Sequence, residues 1–235
     1  YAISTVGRIN NLDELREECF KNGRVQFIEM NKGLINPTEM VAALINQKPT
    51  IVEGLKYAQE KIKGSMSILL LFPDRIYASR DKYGRTPIIV GKSKNGYCVT
   101  FESSAYQNLG FSYVKDLGPG EIISITNKEL VVESEPNKCM KMCSFLWSYY
   151  GYPTATYEGH NVEVMRYKCG ELLRKRDNVD ADAVAVRDNA VQGAAAGLAA
   201  VGVWFSSYCP GNFEIRNGMA DKRIIHKIVC ACFYH

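Results

Sequence analysis

Through the first sixty or so residues, apolar positions recur at three- and four-residue spacing. After the β-forming opening YAISTVGRI, the stretch LDELREECFKNG places Leu12, Leu15 and Cys19 or Phe20 on one face, with Asn10 or Asn11 available as cap and Gly23 as stop. INPTEMVAALINQ repeats the pattern with Pro37 in the first turn and Met40, Val41, Leu44 and Ile45 as its apolar face. TIVEGLKYAQEKIKG predicts a third helix, closed by Gly64. From 65 to 135 the period shifts toward two. SMSILLLF, RIYASR, PIIVGK, YCVTFES, EIISIT and ELVVES read as short strands, separated by FPD, DKYGR, SKNG and LGPGE. Asn95-Gly96 is a two-residue hairpin signal, Pro119-Gly120 marks another turn, and SSAYQNLG suits a short helix. Helices followed by an antiparallel meander predict an α+β layered domain.

Beyond this domain, EPNKCMKMC at 135–143 reads as a linker and SFLWSYYGYP at 144–153 as an aromatic, extended segment. NVEVMRYKCGELLRKR predicts a helix with Val162, Met165, Cys169 and Leu172 or Leu173 inward, and DADAVAV begins like a strand. After Val186 the chain turns Ala- and Gly-rich, then aromatic, without a clean period; a tail unrelated to the preceding domain and an Ala-rich packing helix are the two readings.

Length and composition narrow the function classes. At 235 residues and 46% hydrophobic, the chain can bury one large or two small cores. The 29 basic and 25 acidic residues leave a formal charge of +4, too mild and too scattered to indicate nucleic-acid binding. The longest apolar run, AVQGAAAGLAAVGVWF, falls short of a membrane span, so a cytoplasmic protein without a membrane partner is expected. Eight cysteines without a C-x-x-C, beside three histidines, read as reduced thiols rather than a zinc site.

The stretch SRDKYGRTPIIVGK at 79–92 concentrates unusual chemistry on one bend. Arg80 and Asp81 can tie it through charge-assisted hydrogen bonds, Gly84 permits a positive φ, and Pro87 sets the entry to the next strand. These four residues read as a structural signature.

In order along the chain, VGRINNLDELREE, NPTEMVAALI, ASRDKYGRTPIIVGK, TFESSAYQNLGF and LGPGEI resemble the glutaminase domain of the amidophosphoribosyltransferases. CSFLWSYYGYPTATYEGHNVEVMRYKCGELL resembles the stretch leading into that family's second domain, with Cys143, Pro153, Gly159, Arg166, Gly170 and Leu172 in place. The resemblance covers about 1–185. It implies a partial αββα N-terminal-nucleophile sandwich at 1–136, a linker and the beginning of an α/β phosphoribosyltransferase domain at 137–185, and an unmatched tail at 186–235. It also implies glutamine and phosphoribosyl pyrophosphate as substrates, purine biosynthesis as setting, a homo-oligomer, and magnesium and in some members an iron–sulfur cluster as cofactors, with none expected in this chain itself.

The chemistry departs from that pattern. The family's nucleophile is an N-terminal Cys whose own amino group is the base. Tyr1 cannot take that role, and the resemblance places it well inside the domain, which makes the chain an expected fragment with no catalytic residue. The oxyanion-hole Asn corresponds to Val6, beside a retained Gly7. The Asp that binds the glutamine amino group corresponds to Pro37. Asn10 and Glu39 are nearby polar residues that could substitute. The acidic phosphate loop of the transferase has no counterpart after DADAVAV. Two functions follow: a member with a degenerate, inactive glutaminase site, or a non-catalytic scaffold or regulatory domain. His160 reads as a loop residue. Cys143 reads as a buried thiol, with an iron–sulfur ligand as the other possibility. Trp147, Tyr149, Tyr150 and Tyr152 read as core at a domain junction, or as channel lining.

Overall fold

The computed structural model describes residues 1–21, 23, 26–28, 30–31, 34–176, 183–186, 204–207 and 228–230. These fall into two compact units, Tyr1–Cys143 and Ser144–His235. The first begins with strand β1 (Ala2–Ile9), helix α1 (Leu12–Lys21), the short hairpin β2 (Met30–Asn31) and β3 (Leu34–Ile35), and helices α2 (Pro37–Ile45) and α3 (Ile51–Lys61). Strands β4 (Gly64–Leu71), β5 (Ile76–Ser79), β6 (Ile89–Ser93) and β7 (Gly96–Thr100) follow. Helix α4 (Ser103–Asn108), β8 (Ser112–Asp116), β9 (Ile122–Ile125) and β10 (Leu130–Ser134) complete the unit.

Each helix starts where local chemistry allows. Asn36 caps α2 by accepting the Thr38 N–H at 2.9 Å, and Pro37 occupies the first turn, where its missing N–H costs nothing. Thr50 caps α3 by accepting the Glu53 N–H at 3.3 Å. Asn11 precedes α1, but its side chain joins the far end of α3: its amide donates to Lys61 O at 3.0 Å and its oxygen accepts from Lys63 N at 2.9 Å.

One antiparallel sheet runs β1-β4-β5-β9-β10 and a second runs β7-β6-β8. Alternation sorts the first sheet into two faces. Ile9, Met66, Ile68, Leu70 and Ile122 pack with Leu15, Cys19, Met40, Val41, Leu44, Ile45 and Leu55 of the helices. Ala78, Ile123 and Ile125 turn the other way and meet Ile88, just before β6, and Val90 of the second sheet. On that sheet's outer side a Cβ at Gly91 would meet Tyr106 of α4 at 3.2 Å. Helices, two sheets and a single six-residue helix form a partial αββα sandwich. Strand β8 was absent from the sequence expectation; SYVKD has a Lys and an Asp among five residues and holds its place by pairing with β6.

The second unit corrects several expectations. Residues Leu146–Tyr150 form a π-helical turn rather than an extended segment. It is followed by the hairpin β11 (Thr156–Tyr157) and β12 (His160–Asn161), then helix α5 (Val162–Arg176). The buried positions of α5 are Val162, Arg166 and Gly170, whereas Cys169 and Leu172 face outward; the side chain of Leu173 lies outside the described residues. Arg166 takes the inward place because it donates to Trp147 O (2.8 Å), Tyr149 O (3.1 Å) and Gly151 O (2.8 Å), which holds the π-turn. The turn keeps Trp147 against Tyr157 and bonded to His160 O at 3.0 Å. It leaves Tyr149, Tyr150 and Tyr152 exposed, so they are not core, and Cys143 is exposed too. Strand β13 (Ala183–Val186) pairs in parallel with β14 (Trp204–Ser207) on one side and β15 (Ile228–Cys230) on the other.

Candidate functional site

Val6 and Gly7 lie in the middle of β1, opposite Ser67 and Met66 of β4. Gly7 adopts φ +150°, and a Cβ there would sit 1.9 Å from Ser65 O, so no other residue fits. Ile3 and Ile9 pack into the helical core, which places Thr5 on that same face and Val6 on the opposite one. Val6 is 37% exposed and offers no hydrogen-bond donor. Its cross-strand neighbour Ser67 is buried and committed: its hydroxyl donates to Thr86 O at 3.0 Å and accepts the Asp81 N–H at 3.3 Å.

Pro37 stands exposed at the start of α2. The adjoining Thr38 meets Thr5 of β1, with their hydroxyls 2.7 Å apart. The structure therefore brings the β1 and α2 positions next to each other, although Val6 itself faces away from the helices. Of the polar substitutes, Glu39 is engaged through its side chain, whereas the contact of Asn10 is made by its backbone. Glu39 Oε1 accepts the Ile28 N–H at 2.8 Å, and Asn10 follows the end of β1 with its N–H on Lys63 O at 2.8 Å. Tyr1 donates its phenol to Asn46 Oδ1 at 3.0 Å and packs its ring on Phe72, and partial burial holds its hydroxyl above the usual tyrosine pKa.

The bend at 80–87 shapes the rim on the Val6 side. Arg80 is fully buried. It donates to Thr86 O at 3.1 Å, to Gly84 O at 2.6 Å and to Leu117 O. Asp81, also buried, accepts from the backbone N–H groups of Tyr83 (3.1 Å), Arg85 and Thr86 (3.3 Å). A guanidinium taken out of water costs several kcal/mol unless its donors are met, and here three carbonyls of the bend and its neighbour meet them. Gly84 has the positive φ, +70°, that the sequence suggests, and Pro87 is buried where β6 approaches. Gln59 of α3 adds hydrogen bonds to Ser79 Oγ and Arg80 O, both at 2.8 Å. Sequence reasoning missed Gln59, Ser67 and Thr86, because a single Gln, Ser or Thr carries no pattern.

Among the described residues, no three His, Cys, Asp or Glu side chains converge as a metal site. Also among the described residues, no helix is long and apolar enough to cross a membrane.

Two antiparallel sheets between helices, joined by the 80–87 bend, define an α+β sandwich of the αββα class. No family model matches the chain. It is 31% identical over 199 residues to an amidophosphoribosyltransferase of Methanocaldococcus jannaschii, covering 78% of this chain and 42% of that protein. It is 31% identical over 197 residues to one of Staphylococcus aureus, covering 82% and 39%. The glutamine phosphoribosylpyrophosphate amidotransferase of B. subtilis, solved with ADP and GMP, superposes with a TM-score of 0.79 at 23% identity, over 88% of this chain and 45% of its own. A structure described as the allosteric regulatory enzyme of purine biosynthesis gives 0.80 at 22%, over 96% and 48%. The chain is a homologue of the amidophosphoribosyltransferases, and it spans about two fifths of the length of these curated relatives.

Proposed function

We propose that this chain is the glutaminase-type part of an amidophosphoribosyltransferase whose pocket does not hydrolyse glutamine, so that the complete protein draws on free ammonia. In the family's reaction a thiolate attacks the glutamine amide, and the carbonyl oxygen gathers negative charge that must meet preorganised donors. The observation that carries the reading is Val6. It occupies the position beside Gly7 where a side-chain donor is required, and it points to the face rimmed by the bend. Loss of one such donor lowers turnover by about 100-fold or more. Pro37 removes a second polar group, the carboxylate that would hold the glutamine amino group.

The experiment compares nitrogen donors for the complete protein. Phosphoribosylamine formation from phosphoribosyl pyrophosphate is measured with ammonium and with glutamine. Formation with ammonium and only background with glutamine supports the reading; equal rates at matched concentrations overturn it. Formation with neither donor favours the second reading, a non-catalytic scaffold. That reading is supported by the bend, which is fully tied by Arg80 and Asp81 although the pocket beside it has lost polar groups.

A further inference from the structure

Three cations surround one aromatic ring at the 80–87 bend. Lys82 Nζ lies 5.4 Å from the centroid of Tyr83, Arg85 Cζ 4.9 Å and Lys141 Nζ 5.0 Å. The ring is presented from a fixed backbone: Tyr83 N donates to Asp81 Oδ2 at 3.1 Å, and Tyr83 O accepts from Lys141 N at 2.8 Å. A ring has two faces, so at least two of the three cations share one. Among the described residues no carboxylate forms an ion pair with any of them. The nearby Asp81 is turned inward onto backbone N–H groups, and Glu121 is buried against Lys115. Ring attraction offsets part of the mutual repulsion of these charges, and an anion would remove the rest.

We propose that Lys82, Arg85 and Lys141 form a binding site for a small polyphosphate, either inorganic or the phosphate tail of an organic ester. Charge and compactness select this ligand. Each cation lies within 5.4 Å of the Tyr83 centroid, and three positive charges about one ring call for a ligand with several linked anionic groups rather than one carboxylate. Arg85 spends Nη1 on Gly64 O at 2.8 Å and keeps the rest of its fork for a phosphate oxygen. Lys141 supplies a point charge that can swing from ring to ligand, and Lys82, which also donates to Ile62 O at 3.5 Å, supplies a second. The proposal does not depend on whether glutamine is hydrolysed.

The test is isothermal titration of the 235-residue chain with tripolyphosphate and, in parallel, with a nucleoside triphosphate, both without divalent metal. Saturable one-to-one binding of tripolyphosphate is expected, weakened about tenfold by K141Q and further by K82Q/K141Q. K128Q, on the turn between β9 and β10, should bind like the parent. Tighter binding of the nucleoside triphosphate assigns the site to an organic ester, and equal or weaker binding to the polyphosphate alone. The described contact of the Lys141 side chain is with the ring, so K141Q leaves the bend's hydrogen bonds in place. No binding by the parent, or undiminished binding by both variants, overturns the proposal.

Discussion

The hydroxyls of Thr5 and Thr38 lie 2.7 Å apart and join the middle of β1 to the first turn of α2. This contact puts the Val6–Gly7 and Pro37 positions on adjoining elements and couples the strand to the helical layer. Thr38→Val keeps shape and removes the hydroxyl. It should lower unfolding free energy by about 1 kcal/mol, read as an earlier urea midpoint at unchanged slope.

Arg80 holds the bend from within. Arg80→Met fills similar volume but strands the carbonyls of Gly84, Thr86 and Leu117. A loss of about 3 kcal/mol or more is expected, seen in chemical denaturation. Arg80→Lys should recover only a minority of it, because one ammonium cannot reach three separated carbonyls.

Gly7 is fixed by its neighbours rather than by chemistry alone. Gly7→Ala would drive a methyl to 1.9 Å from Ser65 O at a backbone angle of +150°. The β1–β4 pairing must open or shift, so a loss of about 3 kcal/mol or more is predicted. Soluble yield and hydrogen exchange of the β4 amides report it.

Lys61 sits 2.5 Å from Glu18, between α3 and α1. The hydrogen bond from Lys61 holds the Glu18 carboxyl below its usual range, and the same bond raises the Lys61 ammonium above its own. The Glu18 contribution is therefore present above the unfolded carboxylate pKa and is lost as pH falls through the lowered folded value. The Lys61 contribution is present below its unfolded pKa and is lost as pH rises through the raised folded value. Both side chains are about a third or more exposed (33% and 39%), so solvent screening limits the effect to about 0.5 kcal/mol. Melting temperatures of the parent and of Lys61→Met should differ at pH 7 and converge as the pH falls through the lowered Glu18 value.

Much of the first unit is legible in the sequence because periodicity and caps agree there. The apolar faces of α1, α2 and α3, the Asn95-Gly96 hairpin and the positive φ of Gly84 all follow from local pattern. What was not legible depends on partners distant in sequence. Strand β8 exists through pairing with β6, and the π-turn at Leu146–Tyr150 exists because Arg166, fifteen or more residues on, binds its carbonyls. Tyr149, Tyr150 and Tyr152, which the sequence placed either in a core or along a channel, stand exposed beside this turn. In the candidate site the backbone requirement at Gly7 could be suspected from its neighbours along the chain. The commitments of Ser67 and Thr86 could not, since they arise across strands.

Glutamate release from glutamine by the complete protein tests the central claim most directly, measured for the parent and for Val6→Asn. The account predicts background release from the parent and a rise of about tenfold or more when the side-chain donor is restored. Ready glutamate release by the parent, with no gain in Val6→Asn, would contradict it.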